Sequence, residues 1–294
     1  LRNAWRSSLL RQLYTAARRA LRRGLENPLG RQDVVLATRK AATELLENRG
    51  FLEDDLQLIW ATRGVDYFLR ERPEDIAWHT EAIADHDHRD SALVLVRQST
   101  DSTIANATQI FVYALVEAGL FARVCGELEI QELSINDARI YSGTDGAALY
   151  TFFVLQADGN SVSNDEQTLE GLRRALQQAL DQGGTRSVSR RTPRQLKSFL
   201  MPTETHIHQD QDRNWTVLEV ATPDRPGLLA SLGEIFIAFD IALKAAKIQT
   251  LGERVEDVFF LTDSRGGQIT DQTGLADLQA AICDALDKGV RESA

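Results

Sequence analysis

A constant offset of 108 residues runs through the second part of this chain, and it limits what the chain can fold into more than any other feature. It pairs Gly119-Leu120 with Gly227-Leu228, Ala122 with Ala230, Ala138 with Ala246, Ile140 with Ile248 and Phe152 with Phe260, with no gap required. A period this long means two copies of a whole small domain, since solenoid units run about 20–50 residues. Two copies in one chain can pair side by side. That gives an internal pseudo-dimer whose two equivalent crevices need not share their chemistry.

The local pattern agrees. A branched, apolar run Ala92-Leu93-Val94-Leu95-Val96 opens a β-rich stretch, followed by strand 108–115, helix 119–131, strands 133–142 and 147–156, and helix 165–181. A Gly/Ser/Arg-rich linker with Gly183, Gly184 and Ser187 comes next, then an extra strand near 203–209. The order then repeats as strand 215–221, helix 227–238, strands 240–251 and 255–263, and helix 273–287. This is a split βαβ arrangement. Residues 1 to about 90 read as helices instead: Leu9, Leu10, Leu13, Tyr14, Ala17 and Leu21 share a stripe, a second helix runs from Val34 to Leu46 and stops near Gly50, a third spans Leu52 to Thr62, and Pro73 opens another with Glu74 and Asp75 in its first turn. The expected segments are 1–90, a helical connector; 91–210, the first copy with linker and extra strand; and 211–294, the second copy.

With 294 residues and 43% hydrophobic content, the chain can bury two or three cores without staples. Cys125 and Cys283 show no metal or redox spacing and read as core thiols. No apolar run approaches the ~18 residues of a membrane span, and no signal-peptide core follows Leu1, so a cytoplasmic protein with no membrane partner is expected. Opening on Leu1, with Met201 its only methionine, the chain reads as the tail of a longer protein. Arg2, Arg6, Arg11, Arg18, Arg19, Arg22 and Arg23 crowd the start, but the whole sums to −10 and lacks interleaved aromatics, so nucleic acid is not an expected partner.

The clearest chemical message is Thr222-Pro223-Asp224-Arg225-Pro226-Gly227-Leu228-Leu229, a turn that leaves a strand and opens a helix. Gly227 permits close backbone approach, and the free N–H groups of a helix start can hold an α-carboxylate. Asp224 is then placed to meet an α-ammonium group. The alternative is a plain helix cap with Pro226 in the first turn.

Leu218-Glu219-Val220 followed by Asp224-Arg225-Pro226-Gly227-Leu228-Leu229 resembles the signature of ACT domains, βαββαβ modules that bind amino acids between paired copies. The stretch from Ala246-Lys247-Ile248-Gln249 to Asp257-Val258-Phe259-Phe260 is similar to the last ACT copy of the bifunctional PII uridylyltransferase/uridylyl-removing family. Trp5-Arg6-Ser7-Ser8-Leu9-Leu10, Arg18-Arg19-Ala20-Leu21-Arg22-Arg23-Gly24, Asp66-Tyr67-Phe68-Leu69 and Pro73-Glu74-Asp75-Ile76-Ala77-Trp78-His79-Thr80 resemble the helical connector of that family. The resemblance implies an α+β chain: a helical connector, then two tandem ferredoxin-like ACT domains that sense L-glutamine for an enzyme acting on the PII nitrogen-signalling protein. In that family low glutamine favours uridylylation of PII and high glutamine favours removal of the UMP group. Neither a Gly-Ser-x-Asp-x-Asp nucleotidyltransferase motif nor a His-Asp phosphohydrolase motif is found, so this stretch is expected to be catalytically silent and to carry no cofactor, with Mg belonging to the family's catalytic domains.

The first copy departs from the signature. In place of Asp224-Arg225-Pro226 it has Val116-Glu117-Ala118 before Gly119-Leu120, so the carboxylate position is lost and weak or absent binding is expected there. It keeps Asn136 and Asp137 where the second copy has Lys244 and Ala245. These residues suggest one hybrid crevice per chain: Asp224, Arg225, Pro226, Gly227, Leu228 and Leu229 from the second copy, Asn136 and Asp137 from the first. Asn136 also reads as an ordinary strand-start residue. Two rival readings stay open. One is a ligand-free interaction or dimerisation module contacting PII or the catalytic domains. The other is a metal-dependent hydrolase built on His79, His86 and His88 with Asp85, Asp87 and Asp90, which lacks a helical i,i+4 histidine pair and an evident base. His206 and His208 alternate along an edge strand and read as surface groups.

Overall fold

Helix punctuation in the sequence sets the first part of the molecule. The computed structural model describes residues 28–87, 89–101, 104, 106–182, 202–251 and 254–291. The expected stripe from Leu9 to Leu21, the linker glycines Gly183 and Gly184, and His88 lie outside these. The chain divides into two units, residues 1–84 and 85–294, so the boundary falls a few residues before the expected 90.

In the first unit, α1 (Pro28–Glu47) is followed by α2 (Glu53–Trp60), α3 (Val65–Arg70) and α4 (Pro73–Ala84). Gly50 ends α1 with φ +94°, its N–H bonding to the carbonyl of Glu47 and that of Phe51 to Leu46. This is a left-handed cap only glycine adopts cheaply. Glu53, Asp54 and Asp55 fill the first turn of α2, where the dipole favours carboxylates. The helices close on Leu46, Leu56, Trp60, Phe68, Ile76 and Ala77, with Trp60 and Phe68 edge to face at 5.6 Å. Trp60 Nε1 donates to Thr80 Oγ1 at 2.9 Å, and Thr80 donates to the carbonyl of Ile76 at 2.7 Å. The short helix α3 was not separated out by periodicity, because six residues span less than two turns.

The second unit is one eight-stranded antiparallel sheet of β1 (Leu93–Gln98), β2 (Thr108–Leu115), β3 (Ser134–Ser142), β4 (Ala147–Leu155), β5 (Glu204–Asp210), β6 (Trp215–Pro223), β7 (Ile241–Leu251) and β8 (Arg254–Asp263). Helices α5 (Leu120–Ile130), α6 (Glu166–Gln182), α7 (Leu228–Ala238) and α8 (Gln272–Arg291) share its core. The strand order is β1-β2-β4-β3-β7-β8-β6-β5, a palindrome about the β3–β7 seam. At that seam Arg139 faces Lys247, its own counterpart at the 108 offset, so the pseudo-twofold axis passes between them. On either side the pair Ala138–Ile248 is exchanged for Ile140–Ala246. One cross-strand contact is thus used twice. The architecture is α+β, a helical region followed by two tandem ACT-type copies.

Two details depart from the sequence reading. The gapless offset fails after the first hairpin: Ala138 pairs with Phe152, but Ala246 pairs with Phe259, not Phe260. The hairpin from Leu251 to Arg254 is one residue tighter than that from Ser142 to Ala147, which slips β8 back by one. Phe152 and Phe259 are both fully buried, whereas Phe260 is half-buried beside Trp215 at 5.9 Å. The core stripe Leu172, Leu176, Leu180 of α6 then matches Leu278, Ile282, Leu286 of α8, an offset of 106.

The second departure concerns β5, expected at the end of the first copy. It pairs with β6 and so belongs to the second. Each copy has the four strands and two helices of its module, but the edge strand arrives from the N-terminal side: β1 lies beside β2 just as β5 lies beside β6.

Candidate functional site

The two copies meet through helices as well as strands. A methyl added at Gly233 of α7 would stand 2.7 Å from Cβ and 2.8 Å from Cα of Ala122 in α5, so the two helices touch with no side chain between them. Phe121, Phe236 and Phe259 close the seam, Phe259 lying edge to face with Phe236 at 5.3 Å and Phe121 at 6.3 Å. This close approach carries the end of each helix to the start of the other.

At the start of α7, β6 ends at Pro223, the loop crosses, and Gly227 occupies the N-cap at φ +75°. A glycine offers no side chain to the first N–H groups, which keep their capacity for an anion. The group that approaches is the carboxylate of Glu129, from the last turn of α5. Its Oε2 and Oε1 lie 2.9 and 3.0 Å from where a Cβ of Gly227 would sit. Only glycine admits that contact. At the equivalent start of α5, Gly119 has φ +82° and meets Ile237 Cδ1 at 3.1 Å. Residues 129 and 237 are themselves 108 apart, so one contact is polar in the second copy and apolar in the first.

The loop residues diverge in the same way. In the second copy Asp224 is half-buried, and burial raises its carboxyl above the usual range against a lowering backbone hydrogen bond from Arg225. Arg225 turns to the far end of α8, donating to the carbonyls of Leu286 and, at 3.2 Å, Ala285. Burial lowers its pKa and the charge of Asp287 opposes this. Asp287 also accepts from the Thr203 hydroxyl at 2.7 Å, and Thr203 reaches Thr222 at 2.9 Å, so the loop is tied down from behind. In the first copy Glu117, at the position of Arg225, pairs with the buried guanidinium of Arg123, and Val116 stands for Asp224. Burial lowers the pKa of Arg123.

Of the remaining expected residues, Leu228 and Leu229 are buried and Pro226 is exposed. Asn136 is the unpaired residue of a bulge, because Ile135 pairs with Val154 and Asp137 with Phe153. Lys244 forms the same bulge in the second copy, between Leu243 and Ala245. Asp137 faces away from the helices: it lies 3.6 Å from Arg139, whose guanidinium stacks over Phe153 at 4.9 Å and reaches Asp101 at 3.7 Å. Phe152, the neighbour of Phe153, points into the helix-side core, so Phe153 and Asp137 sit on the opposite face. The structure therefore brings the 224–229 loop together with Glu129 and separates it from Asp137. Glu129 was missed, although comparing residues 129 and 237 across the repeat flags it as an acid where its counterpart is apolar.

Asp257 of β8 deepens the acidic side. It is 1% exposed and lies between Val255 and Phe259 on the helix face. Burial pushes the Cys125 thiol up, and the charges of Asp257 and Glu129 push it further, which places the three groups near one another.

The histidines are engaged elsewhere. His79 is fully buried with Nδ1 3.1 Å from Tyr67 Oη, His86 Nε2 is 2.8 Å from the carbonyl of Ser91, and Asp87 is bound by Arg89. Among the described residues no group of three His, Cys, Asp or Glu is arranged to hold a metal ion, and no helix is long and apolar enough to cross a membrane.

A family model described as the fifth domain of the uridylyltransferase GlnD matches residues 30–82, the helices α1 to α4. The bifunctional uridylyltransferase/uridylyl-removing enzyme of Azotobacter vinelandii (strain DJ) is 45% identical over 289 residues, 98% of this chain and 32% of the relative. That of Stutzerimonas stutzeri (strain A1501) is 44% identical over 288 residues, 97% and 32%. The chain belongs to this family. It spans about a third of the length of the relatives it matches, and the match runs through both units. Among solved structures, aspartate kinase from Synechocystis is similar over 62% of this chain and 27% of its own, at 14% identity and a TM-score of 0.35.

Proposed function

We propose that this chain is the L-glutamine-sensing region of a bifunctional enzyme that uridylylates and deuridylylates the PII protein, with one ligand site per chain at the start of α7. The observation that carries the reading is the asymmetry of two equivalent helix starts. Gly119 is closed by Ile237 and flanked by the Glu117–Arg123 pair, whereas Gly227 is surrounded by polar groups. A zwitterion fits the second environment: its carboxylate on the N–H groups after Gly227, its ammonium toward Asp224. The chain itself carries no catalytic role; nucleotidyl transfer and hydrolysis, with their Mg, belong to domains outside it.

Ligand binding at a seam between copies stabilises one arrangement of α5 against α7, and differential affinity of typically ~1–3 kcal/mol limits how much bias it can transmit. The test is calorimetric titration of the chain with L-glutamine, using L-glutamate and L-asparagine as controls. Saturable binding of glutamine alone, at one per chain, is the expected result; two per chain overturns the asymmetry. No heat from a folded chain favours the second reading, a ligand-free interaction module for PII or the catalytic domains. One observation speaks for that reading: the carboxylate of Glu129 already rests against Gly227, so the chain supplies an anion of its own at this helix start.

A further inference from the structure

The first copy enters the second copy's crevice through Glu129. We propose that Glu129 is the specificity residue of that crevice, its carboxylate receiving the ligand's α-ammonium together with Asp224, so that the site takes zwitterionic amino acids and rejects carboxylic acids that lack the amine. This rests on the glutamine-site reading above and replaces the role expected of Asp137, which lies on the other face of the sheet.

The argument begins with position. Glu129 is 8% exposed and sits at the end of α5, a helix held in contact with α7 by Gly233 and Ala122. Its carboxylate is therefore fixed by packing and not by a flexible loop. It lies within van der Waals reach of Gly227, the residue from which the α7 amides open, so a group bound to those amides is next to it. Charge comes second. Glu129, Asp257 and Asp224 gather negative charge at this end, while the loop's own cation, Arg225, is committed to the carbonyls of α8. Buried negative charge is costly unless a cation meets it, and an ammonium group beside a carboxylate bound to the helix start meets it at the right distance. The third argument is the internal control. The residue equivalent to Glu129 is Ile237, which seals the start of α5 against Gly119. The same position thus closes one crevice with a hydrocarbon and equips the other with a charge.

The experiment titrates the whole chain calorimetrically with L-glutamine and with 4-carbamoylbutanoate, which is glutamine without its α-amine. Wild type is expected to prefer glutamine by at least about tenfold. Glu129→Gln, which keeps the shape and removes the charge, is expected to lose at least about tenfold for glutamine while its affinity for the amine-free compound holds, so that the preference collapses. Glu129→Ile reproduces the Gly119–Ile237 contact and is expected to fold, to melt within a few degrees of wild type and to bind neither compound. It carries the test if the glutamine variant does not fold. An unchanged glutamine affinity in Glu129→Gln, or equal losses for both compounds, overturns the proposal and leaves the glutamine site standing. A wild type that ignores glutamine overturns both.

Discussion

The two ACT-type copies build the same crevice twice and use it differently. Backbone geometry is shared: a glycine in left-handed conformation opens α5 and α7, a bulge falls at Asn136 and Lys244, and the seam between β3 and β7 pairs Arg139 with its own counterpart. Three side-chain positions separate them. Val116 stands for Asp224, Glu117 for Arg225 and Ile237 for Glu129, and these decide whether a helix start is sealed or left polar. The lesson is that the contacts that hold two copies together are made by small and apolar residues, which both must keep. The groups that meet a ligand sit on the rim, where one copy can drop them without cost to the fold.

The largest effect expected tests the frame of the comparison. If β8 is slipped by one residue, Phe259 and not Phe260 is the counterpart of Phe152. Phe259→Ala removes a fully buried ring that touches Phe121 and Phe236 and should cost about 3–5 kcal/mol in denaturant unfolding. Phe260→Ala, half-buried on the other face beside Trp215, should cost about half of that or less, since the loss scales with the cavity left behind. Equal costs would return the alignment to its gapless form.

Next comes the chemical asymmetry. Asp224→Ala should weaken L-glutamine binding by about a hundredfold or more, roughly 2.7 kcal/mol at 1.4 kcal/mol per factor of ten, measured by titration. Glu117→Ala should leave the affinity within about twofold, although it strands the buried Arg123 and lowers the melting temperature. Equal binding losses would mean that both crevices are occupied.

A smaller effect addresses the seam itself. Gly233→Ala places a methyl 2.8 Å from the backbone of Ala122, and a helix backbone cannot step aside as a side-chain tip can. A cost of about 1–3 kcal/mol follows from overpacking. Because the displaced helices carry Glu129 and Gly227, glutamine affinity should fall with it. A stability loss with unchanged affinity would separate the seam from the site.

Sequence patterning reached most of this architecture, since every strand and long helix of the second unit follows from alternation, helical stripes and turn residues. It did not reach the one-residue slip, because a tighter hairpin leaves the composition of β8 unchanged and Phe259-Phe260 reads the same in either register. It misplaced β5 because a βαββαβ module closes with a strand after its second helix, and only hydrogen bonding reveals that the strand serves the following copy. The loop at Asp224 was legible from its glycine and proline. Glu129 was not, because an acid in the last turn of an amphipathic helix looks solvated until α7 is packed against it. Asp137 misled for a related reason: the bulge at Asn136 shifts the facing of the strand, which alternation cannot foresee.

The smallest effect bears on what the second crevice gives up for its polarity. Burial raises Asp224 above the ordinary aspartate value of 3.8, so the folded state holds its proton to higher pH than the unfolded chain does. Below that ordinary value both states are protonated and the residue contributes nothing. As pH rises through the raised value, the unfolded state ionises more readily and stability falls. Asp224→Asn removes this penalty, and the variant should be slightly more stable than wild type at neutral pH, with the gain shrinking as pH approaches about 4. Urea midpoints between pH 4 and 8 measure it. The first copy, with Val116 in the same place, has no such penalty to remove, so Val116→Asn should give no gain at any pH. Saturating L-glutamine should reverse the order, because an ammonium beside Asp224 favours the ionised form. A wild type more stable than Asp224→Asn at neutral pH without ligand would show that a cation of the chain already serves Asp224, and the ammonium would lose one of its two partners.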